Sequence, residues 1–440
     1  MARPAEEQLD APGRIRVVLD LAIRLAEVLF ASGAGAADAT TAMTAIARVY
    51  GVRNVDSDVT HTALSLTWTN PSTYESVARR RTIAARNMDF SKLTAASALF
   101  ADITDERVDL ATARRRLARI TSRKPASRQV LRIGWSLIGA GAALLLGGDL
   151  VIAAVAFVAA FVLESITSAM AARRAPVFFT SIVGGLIGPV AAVLVHLVDP
   201  HESARLVVIA TIIVLLAGSL IFGGVQDILS GFYLTGLARL TEAVVVTIGI
   251  AASVLGASVL FTWFGLSIDV ISGGVLGGGP VFVTVVGAIV IVIGFALACQ
   301  LPWRALWAVC VLGAIGEGLY LTCTAFSLGP VWSSAIAAVV VGMLASILAR
   351  WSRTPVLALV ITGLVPLLPG LVMFNALMNL ASGAVAGLLD ALVAAAVAAA
   401  LAAGAIAGQY LLQASWRSTS RVVRRGRGPI LSIASQRRRR

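Results

Sequence analysis

The sequence predicts a polytopic α-helical membrane protein, with ten transmembrane helices as two inverted five-helix repeats and a small N-terminal α+β cytoplasmic domain. Three observations predict it. Of 440 residues, 58% are hydrophobic and 13% charged, whereas soluble domains are roughly half apolar and a quarter charged. The net charge of +13 is unevenly placed: residues 1–129 hold 19 Lys/Arg and 14 Asp/Glu, residues 130–416 hold 8 and 9, and the tail from Arg417 holds 9 Arg and no acid. Between Arg132 and Gln413 runs a train of apolar segments, each about the 20 residues a helix needs to cross a bilayer.

Residues 1–129 read as the soluble domain. Val18, Leu21, Leu25 and Leu29 give Ile15–Phe30 helical spacing, ended by Ser32-Gly33. Ala36–Tyr50 reads as a second helix stopped by Gly51. From Val55 to Trp68, apolar and polar residues alternate and β-branched residues are frequent. This predicts one or two strands, with a turn at Asn70-Pro71-Ser72 and a further strand over Ser76–Ile83. Leu93–Phe100 and Leu110–Ile120 read as helices.

Ten spans follow, at 132–148, 149–171, 177–198, 204–223, 240–263, 281–300, 304–325, 330–349, 354–374 and 384–411. The expected divisions are 1–129, 130–265 (first repeat), 266–413 (second repeat) and 414–440 (basic cytoplasmic tail). With the N-terminus inside, the inner loops carry Arg173, Arg174, Arg239, Arg304, Arg350 and Arg353, and the outer loops only Arg205. This favours ten spans with both termini cytoplasmic. An offset of 147 matches Gly223 to Gly370 and Gly236 to Gly383, and brings Gly134 to Val281. Five spans per half is odd, so the halves enter the membrane in opposite senses, as in many secondary transporters.

Several chemistries are excluded or unsupported. The two lysines, Lys92 and Lys124, lie outside any P-loop pattern, so a P-loop ATPase cannot be built. His61, His196 and His201 form no metal-ligand pattern with Cys299, Cys310 and Cys323, which read as packing residues. No metal, cofactor or nucleic-acid partner is expected, and no signal peptide is visible before Arg16. The basic runs at 114–132 and 437–440 suit an anionic inner leaflet.

Candidate site residues cluster at two interrupted helix ends. The first is Gly223-Gly224 with Asp227, then Arg239 and Glu242; the second is Pro366, Pro369-Gly370, then Asn375 and Asn379. Such interruptions free backbone groups for a polar solute or ion; the alternative is that they are ordinary helix ends. Glu164, Glu317 and Asp390 fall inside apolar spans, where a lone charge is costly and usually serves a path or relay. They too could be interfacial or paired. His61 reads as a packed strand residue rather than a catalytic one, and His196 and His201 as headgroup-level residues.

Together these residues resemble the threonine/serine exporter family. Ala31-Ser32-Gly33 and Val59-Thr60-His61-Thr62 resemble its N-terminal domain. The Gly223-Gly224 to Asp227, Gly236 and Arg239 to Glu242 stretch resembles its first-half signature. Ala337-Ala338, Val341-Gly342, Ala345, Ala349-Arg350, Pro355 and Pro366 to Gly370 resemble its second-half signature. One departure is Phe222-Gly223, where the family usually has a Pro-Gly step.

The resemblance implies a non-enzymatic secondary transporter in the inner membrane. It would export threonine and serine with the proton motive force, its partners being the amino acid, protons and lipid, with a homo-oligomer left open. Glu164, Asp227 and Glu317 would carry protons. Asp227, Asn375, Asn379 and the backbone at Gly223 and Gly370 would hold the zwitterion, with Arg239 facing Glu242 or the substrate carboxylate. Two rivals stand beside this reading: export of a dicarboxylate or other metabolite, and a membrane-anchored enzyme or sensor acting through residues 1–129.

Overall fold

Helical apolar spacing and aspartate caps set the first elements. The computed structural model describes residues 11–83, 87–198, 204–215, 218–264, 279–381 and 383–415. It opens with α1 (Ala11–Ala31) and α2 (Ala36–Val49), then β1 (Val55–Val59), β2 (Ala63–Thr69) and β3 (Ser76–Thr82), then α3 (Phe90–Thr104) and α4 (Leu110–Thr121). The apolar stripe of α1, Val18, Leu21, Leu25 and Leu29, is fully buried. The sheet is antiparallel in the order β1-β2-β3, with Val59 opposite Leu64 and Leu66 opposite Arg79. The alternating run over 55–68 divides into two strands at a tight turn, where Thr60 N–H donates to Ala63 O at 2.9 Å. Asn70 makes the expected turn after β2, its Oδ1 accepting from Ser72 N–H at 2.9 Å. Asp89 caps α3 by accepting from Lys92 N–H at 2.9 Å, and Asp109 caps α4 by accepting from Thr112 N–H at 3.3 Å.

The apolar train forms α5 (Arg128–Leu145), α6 (Leu150–Ala172), α7 (Val177–Val198), α8 (Ala204–Ile213), α9 (Gly218–Leu229) and α10 (Tyr233–Trp263). It continues as α11 (Val281–Ala298), α12 (Leu306–Ala325), α13 (Pro330–Ser352), α14 (Val356–Leu364), α15 (Gly370–Ala381) and α16 (Ala386–Ser415). Among the described residues, seven helices are long and apolar enough to cross a membrane: α6, α7, α10, α11, α12 with its leading 3₁₀ turn, α13 and α16. Two bent pairs, α8–α9 at 45° and α14–α15 at 47°, bring the number to nine. The remaining expected span, 132–148, overlaps α5, whose apolar length is shortened by Arg128, Gln129 and Arg132 at its start. His201 and the basic tail beyond Ser415 lie outside the described residues.

The first interruption differs from the expectation. Helix α9 runs unbroken through Gly223 and Gly224, and the bend precedes it, between Ile213 and Gly218. Gly223 and Gly224 serve packing instead. A Cβ on Gly224 would lie 3.0 Å from Gly236 O, and one on Gly236 would lie 2.6 Å from Gly224 O, so these glycines let α9 and α10 cross in backbone contact. The second interruption lies where expected: a 3₁₀ turn at Val365–Leu367 gives way to α15 at Gly370, with Pro366 and Pro369 removing two backbone donors.

The internal spacing also differs from 147. Arg128 to Val281 and Leu145 to Ala298, the two ends of α5 and α11, are each 153 apart, as are the starts of α7 and α13. Gly218 and Gly370, which open the 12-residue helices α9 and α15, are 152 apart. The 147 match pairs Gly223, inside a helix, with Gly370, at a helix start, and so slips the register. At the 153-residue spacing of the helix ends Gly134 answers Gly287 and Gly141 answers Gly294. These four glycines form the α5–α11 crossing: a Cβ on Gly134 would meet Gly294 O at 2.7 Å, and one on Gly141 would meet Gly287 O at 2.7 Å. The pairing descends along one helix as it ascends along the other, so α5 and α11 are antiparallel.

Candidate functional site

The two bends touch one another. A Cβ on Gly218 would lie 2.9 Å from Leu368 Cβ, so the start of α9 rests on the interruption before α15. Beside this contact lies a cavity of about 140 Å³. One wall comes from α5 (Trp135, Ile138, Ala142) and α11 (Ile291, Phe295), the other from Ile213, Val214, Gly218 and Ser219 with Val365, Pro366, Leu368 and Gly370. Among the described residues no charged side chain lines it, and the polar side chains on its wall are the Ser219 hydroxyl and the Trp135 indole. Backbone groups released where the helices bend supply the remaining polarity. The chamber is apolar with a few convergent polar groups, the usual character of a small-molecule site.

Of the residues singled out from sequence, Pro366 and Gly370 line the cavity and Pro369 lies next to Gly370. Gly223, Gly224, Asp227, Arg239 and Glu242 gather elsewhere, where the far end of α9 and the start of α10 meet the N-terminal elements. Asp227, 1% exposed, accepts at Oδ1 from Ala36 N–H at 3.0 Å, capping α2 from 191 residues away. Its Oδ2 lies 3.2 Å from Arg239 Nε, a charge contact rather than an aligned hydrogen bond. Arg239 Nη2 donates to Ala34 O at 3.5 Å, and its guanidinium lies 5.8 Å from the Phe30 ring centre. Gly223 makes room for this guanidinium, since a Cβ there would lie 2.5 Å from Arg239 Nη1. Glu242 Oε2 sits 3.5 Å from His61 Nε2, which gives His61 a partner across the same interface. The pairing of Arg239 with Asp227, rather than with Glu242 as in one sequence alternative, follows from Asp227 sitting on the facing helix.

The remaining candidates are dispersed. Asn379 Nδ2 donates to Asp390 Oδ2 at 2.7 Å, joining α15 to α16, and Asn375 is exposed on α15. Glu317 is 4% exposed on α12, and its Oε2 has no hydrogen-bond partner among the described residues. Glu164 is half-buried on α6. The two glutamates are 153 residues apart, the spacing of their helices. Sequence reasoning missed the α5 and α11 walls and the Gly218-Ser219 pair. The pair had a signal, being small residues inside an apolar run; the walls had none, because ordinary packing helices carry the same residues.

Comparison with known proteins fits this architecture. The family description "Putative threonine/serine exporter" matches residues 20–261, and "Threonine/Serine exporter, ThrE" matches residues 284–411. The chain is 30% identical over 373 residues to the "Probable threonine/serine exporter" of Mycobacterium tuberculosis, covering 83% of this chain and 70% of that protein. It is 28% identical over 369 residues to the "Threonine/serine exporter" of Corynebacterium glutamicum, covering 82% of this chain and 75% of that one. No solved structure matches. With matches on either side of the 265–280 segment and relatives aligned over most of its length, the chain belongs to the threonine/serine exporter family, a family of multi-pass membrane transporters rather than enzymes.

Proposed function

We propose that this protein exports threonine and serine across the inner membrane through the cavity between its two bent helix pairs. The observation that carries the reading is the contact of the two bends beside a chamber without charged side chains. Backbone amides at the starts of α9 and α15 suit a carboxylate, and carbonyls freed at the ends of α8 and of the 365–367 turn suit an ammonium group. The chamber's small size suits a small amino acid, and the lack of a fixed cation on its wall disfavours a doubly charged anion.

The transport cycle we infer is alternating access by two inverted five-helix repeats, 130–265 and 266–413, with α5 as the tenth span. The antiparallel α5–α11 crossing supports it, because equivalent helices of the two halves then run in opposite directions. So do the contacts of the 1–129 domain, which reach the end of α9, the start of α10 and the end of α11. Arg304 Nη2 donates to Arg353 O at 2.8 Å, tying two further Arg-bearing loops together. That charge distribution favours a cytoplasmic face with both termini on it.

Glu164 and Glu317, repeat mates inside apolar helices, are our candidates for proton coupling. The test is counterflow and ΔpH-driven flux in proteoliposomes with labelled threonine, serine and dicarboxylates. The reading requires threonine and serine to move, flux to follow an imposed pH gradient, and Glu317→Gln to abolish the gradient response while counterflow persists. Movement of dicarboxylates alone would replace the substrate assignment with its rival.

A further inference from the structure

We propose that the N-terminal domain is the gate over one mouth of the cavity, held shut by a latch built on Asp227 and Arg239; this rests on the cavity reading above. Trp135 and Phe295 line the cavity on the side nearer the N-terminal domain, their rings edge to face at 6.3 Å. Behind Phe295 lies Phe90, fully buried at the first residue of α3, again at 6.3 Å between ring centres. Phe90 N–H donates to Cys299 O at 2.8 Å, and Asp89, the α3 cap, holds that first turn in place. Phe90 thus backs the cavity-lining Phe295 ring, and in this proposal a solute entering from this face must displace the layer that carries Phe90.

The rest of the interface is separable. Beyond the latch, Thr235 Oγ1 donates to Val59 O at 3.3 Å, Ala126 N–H donates to Gln300 Oε1 at 2.7 Å, and His61 faces Glu242 at 3.5 Å. Each is a polar contact that water can replace. Helix α9 joins latch to chamber as one rod: Ser219 in its first turn lines the cavity, and Asp227 in its last turn caps α2. A rigid-body shift of α9 therefore moves both ends together. Release of the domain and reshaping of the chamber become one rigid-body step.

Two measurements on the full chain test this, both with Cys299, Cys310 and Cys323 replaced by alanine. In the first, His61→Cys and Glu242→Cys are joined by a short reducible bis-maleimide. Export in vesicles should fall at least tenfold and return on reduction; export at the uncrosslinked rate overturns the gate. In the second, Ser219→Cys, with Ile291→Cys as a second probe, is modified by a charged thiosulfonate from the face carrying the domain. Adding Phe90→Ala should raise the modification rate at least tenfold, and an unchanged rate at both probes overturns the gate. If the rate rises but modification leaves export untouched, the gate stands and the cavity is not the transport path.

Discussion

Two residues separate recognition from assembly. Ser219 offers the cavity a hydroxyl beside freed backbone, and one neutral hydrogen bond contributes about 1 kcal/mol. Ser219→Ala should lower affinity for threonine about fivefold while leaving valine nearly unaffected, read as competition in counterflow. Asp227 lies away from the chamber. Asp227→Ala strands the Arg239 guanidinium in a buried site and uncaps α2, at a cost of about 3 kcal/mol or more. Thermal unfolding in detergent should come earlier, and protease should cut the N-terminal region faster. Asp227→Leu with Arg239→Met should recover most of that loss, because no buried charge then remains. The sequence marked Asp227 and Arg239 as unusual, since both are charged near an apolar run. It could not assign their partners, because Ala34 and Ala36 lie about 200 residues away and carry no side-chain signature.

Helix crossings and caps can be tested as units. At the α5–α11 crossing a Cβ on Gly141 would meet Gly287 O at 2.7 Å, whereas a Cβ on Gly256 of α10 meets nothing within 4 Å. Gly141→Ala should therefore destabilise by about 1–3 kcal/mol. Gly256→Ala should be neutral or mildly stabilising, because alanine favours the helix. Melting temperatures of the two purified variants decide this. At α4, a hydrogen bond from the Thr112 side chain, aided by the Thr112 backbone N–H, holds the Asp109 carboxyl below its ordinary range. A depressed folded-state value means the cap contributes above the ordinary carboxylate range and fades as pH falls through the lowered value. The difference in stability between the parent and Asp109→Ala should thus shrink on acidification; Asp109 is solvated, so the effect is small. Periodicity found the helices of the first 121 residues to within a few positions, and alternation found the sheet. What periodicity could not find was the bend before Gly218. An apolar run reads the same whether the rod inside it is straight or bent, and the conspicuous glycines, Gly223 and Gly224, serve a helix crossing instead.

For the whole molecule, the proposed inverted arrangement makes a directional claim. An even number of crossings returns the chain to its starting face. Epitope tags placed before Ala11 and after Arg440 should therefore both be protected in sealed right-side-out cells and exposed after permeabilisation. A tag exposed at one end only would require an odd number of crossings and would undo the two-repeat reading. The composition made the membrane class legible, because no soluble core consumes so much apolar sequence. The offset of 147 was not the spacing of the helices: glycine pairs recur by chance at several offsets, and the helix ends of the two halves are 152–153 apart.

The α5–α11 crossing also bears on how the chain is made. Helix α5 emerges first of the membrane helices, yet its glycine face is matched by α11, which follows about 150 residues later. The surface that receives Phe90 includes Cys299, so the start of α3 cannot seat until the end of α11 has been synthesised. During translation that layer must wait, finished but not fully docked, and ribosome-stalled chains ending before residue 281 should carry the start of α3 more exposed to protease than the complete chain does.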